Sequence, residues 1–197
     1  MEVEGLKIEV CNEVYPPSDD TYVILDAIKK VTIKEPILEV GTGTGIVALS
    51  IASGDKYVVA TDISIKAVKC AWLNAKRNSL RDKVDVVLCD LSTAFRDKAF
   101  SFMAFNPPYL PVMDGDLLGK AWSGGLGGVA VVTRFLRDLV RVLRKEGRAL
   151  LLQSSISRVD KVLRLMRRLG LKTKLVVRKR MGLYEDLMVL SIVRGEL

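Results

Sequence analysis

The chain has 197 residues, 49% of them hydrophobic and 27% charged, which suits one folded domain with a sizeable core and argues against disorder. It holds no histidine and three cysteines, Cys11, Cys70 and Cys89, without CxxC spacing. A metal site built from this chain and any mechanism needing a histidine base or a Ser-His-Asp triad are therefore not expected.

The net charge of +8 is unevenly placed. Residues 1–133 carry 14 Lys/Arg against 17 Asp/Glu, whereas residues 134–197 carry 17 against 6. Such asymmetry fits a basic face for a polyanion or an acidic partner, and equally the solvated helix faces of a charge-rich protein. No apolar run approaches the roughly 20 residues of a membrane span. Residues Met1 to Lys7 lack the basic start and apolar block of a signal peptide, so the expected compartment is the cytoplasm, away from any membrane.

Residues 6–14 alternate loosely and read as a short strand or hairpin. Ser18 or Asp19 then caps a helix whose period is carried by Tyr22, Leu25, Ile28 and Lys29. Asp19 and Asp20 in the first turn suit the helix dipole. Residues 1–30 together read as a strand and helix that cap a ligand pocket, within a single domain spanning 1–197.

Ile37 to Val40 is a short apolar strand that runs into Gly41-Thr42-Gly43-Thr44-Gly45 and then into an apolar helix. Strand, glycine turn and helix form the first unit of a nucleotide-binding α/β fold. A second strand ends in Asp62, at the separation where an acid meets ribose hydroxyls. A dinucleotide fingerprint wants glycine at the sixth position of the turn, where this chain has Ile46. Glu39 before the turn would repel a pyrophosphate and welcome an amino group. Gly41, Gly43, Gly45, Glu39 and Asp62 together point to S-adenosylmethionine (SAM) over NAD.

The helix from Ile65 to about Asn78 is expected to turn Val68, Ala71, Trp72 and Ala75 inward. The third strand, Val84 to Cys89, delivers Asp90 and Leu91, and Asp90 suits an adenine amino group or a helix cap. The fourth apolar run, Ala99 to Phe105, stops at Asn106-Pro107-Pro108-Tyr109 because two prolines have no N–H for a sheet ladder. A carboxamide, two free carbonyls and an aromatic ring thus stand at a strand's carboxyl end, where open α/β sheets place ligands.

A glycine-rich stretch, Leu110 to Gly128, follows, with Trp122 as substrate contact or loop anchor. The next helix, Val129 to about Lys145, buries Val132, Phe135, Leu136, Leu139 and Leu143 and carries an arginine stripe of Arg134, Arg137, Arg141 and Arg144. A fifth strand over 148–153, a helix over 157–169 and an antiparallel pair near 172–179 and 185–193 close the chain.

This order resembles the class I SAM-dependent methyltransferase fold: a Rossmann-like, seven-stranded, mostly parallel α/β sheet with a C-terminal antiparallel pair and helices on both faces. The combined pattern is narrower. Val14-Tyr15-x-Pro17-x-x-Asp20-Thr21, Leu38-Glu39-Val40-Gly41-Thr42-Gly43-Thr44-Gly45, Asn106-Pro107-Pro108-Tyr109 and Ala121-Trp122-x-Gly124-Gly125-x-x-Gly128 resemble the HemK2/Mtq2 branch of release-factor glutamine N5-methyltransferases.

The resemblance implies SAM contacts at Thr21, Glu39, Gly41, Asp62, Asp90, Leu91 and Asn106. It implies catalysis by Asn106, Pro107 and Tyr109, with the substrate held along Asn106, Pro107, Pro108 and Tyr109. It also implies two partners, a class 1 release factor with a Gly-Gly-Gln loop and a zinc-binding activator of the Trm112 type. Within the enzyme class, the tetrapeptide also suits adenine N6, guanine N2 or protein lysine methylation, although no target-recognition domain for nucleic acid is visible. A non-catalytic SAM-binding scaffold subunit is the alternative outside that class, and intact Asn106 and Tyr109 argue against it.

Overall fold

The short apolar runs separated by helical stretches assemble into a seven-stranded sheet. The computed structural model describes residues 1–108 and 129–195. Tyr109, Trp122 and the rest of the glycine-rich stretch lie outside the described residues. A small hairpin, β1 (Glu2–Val3) and β2 (Leu6–Lys7), comes first, ahead of helix α1 (Asp19–Ile28). Strand β3 (Ile37–Val40), helix α2 (Ile46–Ser53), β4 (Val58–Asp62), α3 (Ile65–Arg77), β5 (Val84–Leu88) and β6 (Phe100–Phe105) follow. The chain continues through α4 (Val129–Val142), β7 (Leu143–Ser154), α5 (Val159–Arg168), β8 (Leu171–Met181) and β9 (Glu185–Arg194).

The sheet order is β5-β4-β3-β6-β7-β9-β8. Strands β3 to β7 are parallel to one another, and β9 runs antiparallel to both β7 and β8. Strand order reverses between β3 and β6, which is the switch point where such sheets bind ligands. Register decides what meets there. Val40 pairs with both Phe105 and Thr61, so Gly41, Asn106 and Asp62 leave the sheet side by side.

The central strands β3 and β6 are buried on both faces, as a covered parallel sheet requires, whereas the edge strands β5 and β8 are largely exposed. Phe102, Ala104, Leu150 and Leu152 face α1 and α2, whereas Met103, Phe105, Ala149 and Leu151 face α4 and α5. The β7 strand begins at Leu143, earlier than the expected 148, and Gly147 is buried where a Cβ would lie 2.7 Å from Leu143 Cδ1.

Two expectations need correction. In α1 the buried face is Val23, Ile24, Leu25, Ala27 and Ile28, while Tyr22 is exposed. In α3 the buried positions are Ala67, Cys70, Ala71, Asn74 and Ala75, and Trp72 is exposed with the cations of Lys76 and Arg81 each 5.8 Å from its ring. The reason is close approach, because α3 sits against the glycine turn and only small side chains fit between them. Asn74 fills the remaining inward place as a clamp. Its Nδ2 donates to the carbonyls of Glu9 and Thr44, both at 2.9 Å, and its Oδ1 accepts from the Glu9 N–H at 2.9 Å.

Asn78, one turn on, makes the same paired contact with Lys7. Nearby, Cys11 and Cys70 form a disulfide that fixes the N-terminal segment to α3, a pairing that no spacing motif in the sequence announces. Among the described residues no helix is long and apolar enough to cross a membrane.

Candidate active site

A cavity of about 650 Å³ opens at the carboxyl ends of β3, β4, β5 and β6. Thr21, Glu39, Gly41, Gly43, Asp62, Asp90, Leu91, Asn106, Pro107 and Pro108 all line it. Its roof is the segment Glu13 to Thr21, so part of the N-terminal 30 residues covers the site.

Glu39 is the innermost acid. Its Oε2 accepts from the Thr42 hydroxyl at 2.5 Å and from the Ala48 N–H at 3.0 Å. Burial pushes its carboxyl up to about 8, against the lowering effect of those two donors, and the charge of Asp62 adds to the rise. A cation placed beside it would restore the charged form.

Asp62 holds the turn from the next strand. The Gly43 N–H donates to its Oδ2 at 3.0 Å and the Ser64 N–H to its Oδ1 at 2.9 Å. Burial raises its pKa, and these backbone donors oppose that. The carboxylate is therefore fixed with acceptor capacity to spare, as a pair of ribose hydroxyls requires. Asp90, on the loop after β5, forms an ion pair with Arg134 of α4 at the rim. Leu91 follows it in a left-handed backbone conformation, and its carbonyl accepts from the Thr61 hydroxyl at 2.9 Å.

The glycines divide. Gly41 has φ +67, and a Cβ there would meet the Phe105 ring at 3.1 Å. Only glycine lets the chain pass so close to β6 while opening the cavity floor. Gly45 has φ +86 at the start of α2, but it does not line the cavity. A Cβ there would lie 3.0 Å from Ala71 Cβ, so its function is packing against α3.

Asn106 sits where β6 ends. Its Nδ2 donates to Asp20 Oδ2 at 3.1 Å, while its Oδ1 is buried and has no hydrogen-bond partner among the described residues. Asp20 also accepts from the Thr21 N–H at 2.7 Å and from the Tyr15 hydroxyl at 3.3 Å. Burial, and next the Asp20 charge, push the Tyr15 phenol up to about 12, so it remains a donor. A buried carbonyl oxygen without a donor costs about 1–3 kcal/mol, and such an atom in a cavity marks a place for a ligand donor. The linkage to Asp20 was missed in the sequence. A signal existed, since Asp20 falls on the buried side of α1 while Asp19 does not.

The arginine stripe, which runs from α4 into the start of β7 at Arg144, is largely engaged with the chain itself. Arg134 holds Asp90, Arg141 donates to the carbonyls of Phe95 and Ser92, and Arg144 reaches the Lys98 carbonyl.

The family model of the methyltransferase small domain matches residues 19–181. A protein of Methanocaldococcus jannaschii, provisionally named a protein N5-glutamine methyltransferase, is 34% identical over 98% of both chains. The human methyltransferase HEMK2 is 27% identical, covering 93% of this chain and 91% of its own. Among solved structures, the E. cuniculi Mtq2–Trm112 complex, described as responsible for methylation of the eRF1 translation termination factor, superposes with a TM-score of 0.74 at 25% identity, over 93% of this chain and 99% of that one. The family model and these relatives place the chain in the methyltransferase small domain family.

Proposed function

We propose that the protein methylates the side-chain amide nitrogen of the glutamine in the Gly-Gly-Gln loop of a class 1 release factor, with SAM as methyl donor. The observation that carries the reading is the buried Oδ1 of the cavity-lining Asn106, an acceptor without a donor among the described residues. Glu39, with its affinity for a cation, and Asp62, with its free acceptor capacity, fit the amino group and ribose of the donor. When bound, SAM supplies an electrophilic methyl on a sulfonium.

A glutamine amide is a weak nucleophile because its nitrogen lone pair is delocalised into the carbonyl. Asn106 Oδ1 and the Pro107 carbonyl would each accept one of its two N–H groups. Acceptors so placed fix the nitrogen and favour growth of positive charge on it. Asp20 keeps the Asn106 carboxamide from rotating, and Tyr109 is proposed to pack on the flat amide. The amide proton leaves to water after transfer, which suits a chain without histidine.

A zinc-binding activator of the Trm112 type is the proposed partner. Trp72 and Leu73 on α3 and Leu88 on β5 are exposed, and β5 is one of the two edges of the sheet among the described residues. That strip is the surface we assign to the activator. Tritiated SAM offered separately to a release factor, an oligonucleotide and an RNA, with and without the activator, tests the reading. Label is expected on the release factor, at its Gly-Gly-Gln glutamine. Label on nucleic acid alone would overturn it.

A further inference from the structure

The β8–β9 hairpin extends well past the edge at which the cavity opens. Phe105, the last residue of β6, is level with Leu151, which pairs with Leu190, which pairs with Leu175. The hairpin ladder continues from there to the pair Met181 and Glu185. Five further residues of β9 at about 3.3 Å each carry the turn roughly 17 Å beyond the level of Phe105. Strand β7 accompanies it as far as Ser154, opposite Leu187. At the same level Lys179 pairs with Asp19 at 3.1 Å, next to Asp20, which ties the arm to the roof of the site short of its tip.

The tip is unusually apolar for a free turn. Leu183 is 78% exposed and Tyr184 88% exposed. Arg178 is engaged by Asp186 and Lys179 by Asp19, whereas Arg180 is exposed and forms no ion pair among the described residues. The tip thus offers a leucine, a phenol and one unused guanidinium. A nucleic-acid surface wants an array of free cations, and here Glu185, Asp186 and Asp19 offset the bases. Tyrosine and arginine match the anchors of protein interfaces, and Leu183 adds apolar area beside them.

We propose that this arm is a docking surface for the folded body of the methyl-acceptor protein, at an apolar ridge carrying an acidic side chain. The inference rests on the release-factor reading above. A loop reaching Asn106 leaves its parent domain at the mouth of the cavity, and the arm projects on the same side of the sheet, tied to the roof segment through Asp19. Docking there raises the local concentration of the acceptor loop without touching the reacting atoms.

The test uses the full chain with its activator and an intact release factor. Leu183→Ser with Tyr184→Ser, and separately Arg180→Glu, are compared with the parent enzyme for kcat, KM and SAM affinity. The expected result is a KM for the factor raised by about tenfold or more, one interface anchor's worth. SAM affinity and kcat at saturating factor stay within about twofold. An unchanged KM in both variants overturns the arm, as does a fall in kcat with KM unchanged. Arm-dependent binding of RNA without any change in the factor's KM also overturns it. Failure of the parent enzyme to label the factor sinks the acceptor assignment itself, a result distinct from silent arm variants.

Discussion

Asp20 and Asn106 stand 86 positions apart in the chain and 3.1 Å apart in the fold, joined by a bond from the Asn106 amide to the Asp20 carboxylate. The bond assigns the nitrogen end of the carboxamide to Asp20 and leaves the oxygen as its unpaired acceptor among the described residues. Asp20 is thus a positioning residue. Asp20→Ala should lower kcat by about 10²-fold, the scale on which a lost orientation acts. SAM affinity should change little, and Asp20→Asn should recover part of the loss because its carbonyl can still accept. Normal turnover by Asp20→Ala in a tritium-transfer assay would remove Asp20 from the mechanism.

Asn106→Ala removes the acceptor itself. The chain should fold, since the side chain ends a strand that is anchored by Phe102 and Phe105. It should bind SAM at least partly and lose methyl transfer by about 10³-fold, comparable to deleting one preorganised polar group at a reacting centre. Calorimetry with SAM beside a single-turnover assay separates the two effects; near-normal turnover would sink the mechanism.

The carboxyl of Glu39 is pushed up to about 8 by burial, above the usual unfolded value of about 4.3. The folded chain therefore holds this proton more tightly than the unfolded one. The stability contributed is fully present below the unfolded pKa and is lost as pH rises through about 8. Glu39→Gln keeps an acceptor for Thr42 and Ala48 but has no charge to bury. Melting curves from pH 5 to 9 should show a smaller fall in Tm for the variant than for the parent enzyme. SAM affinity of the parent should rise over the same range, as the free carboxylate becomes available to the ligand's ammonium. Parallel melting profiles would count against the assignment.

The activator surface is tested at α3. Trp72→Glu with Leu73→Glu places two charges on side chains already exposed to solvent, so the free chain should melt within a few degrees of the parent. Co-purification with the zinc-binding partner should be lost. Retention of a one-to-one complex on gel filtration would place the interface elsewhere.

Much of the site could be read from the chain because strand ends announce themselves. Asn106 is marked by the two prolines that stop a sheet ladder, Asp62 and Asp90 each close a short apolar run, and Glu39 is the one charge inside an apolar strand that runs into a glycine turn. Strand register then brings the ends together, which local sequence can suggest but not measure. What escaped was set by contacts across the fold. Trp72 has the right period to face inward, yet the glycine turn leaves room only for Ala67, Ala71 and Ala75. Asn74 and Asn78 look like surface residues and instead pin residues 7 to 9 to α3. Cys11 and Cys70 lie 59 residues apart with no motif to pair them. Asp20 read as a helix-dipole residue until its partner came into view.

Gly45 carries a warning for mutagenesis. It belongs by sequence to the glycine-rich turn, yet its neighbour in space is Ala71 and it does not line the ligand cavity. Any side chain there would push α3 outward, and with it Ser64 and Ala67, which do line the cavity. A Gly45 variant that bound its cofactor poorly would be reporting a displaced wall, so an alanine scan of the turn would credit this position with a contact that it does not make.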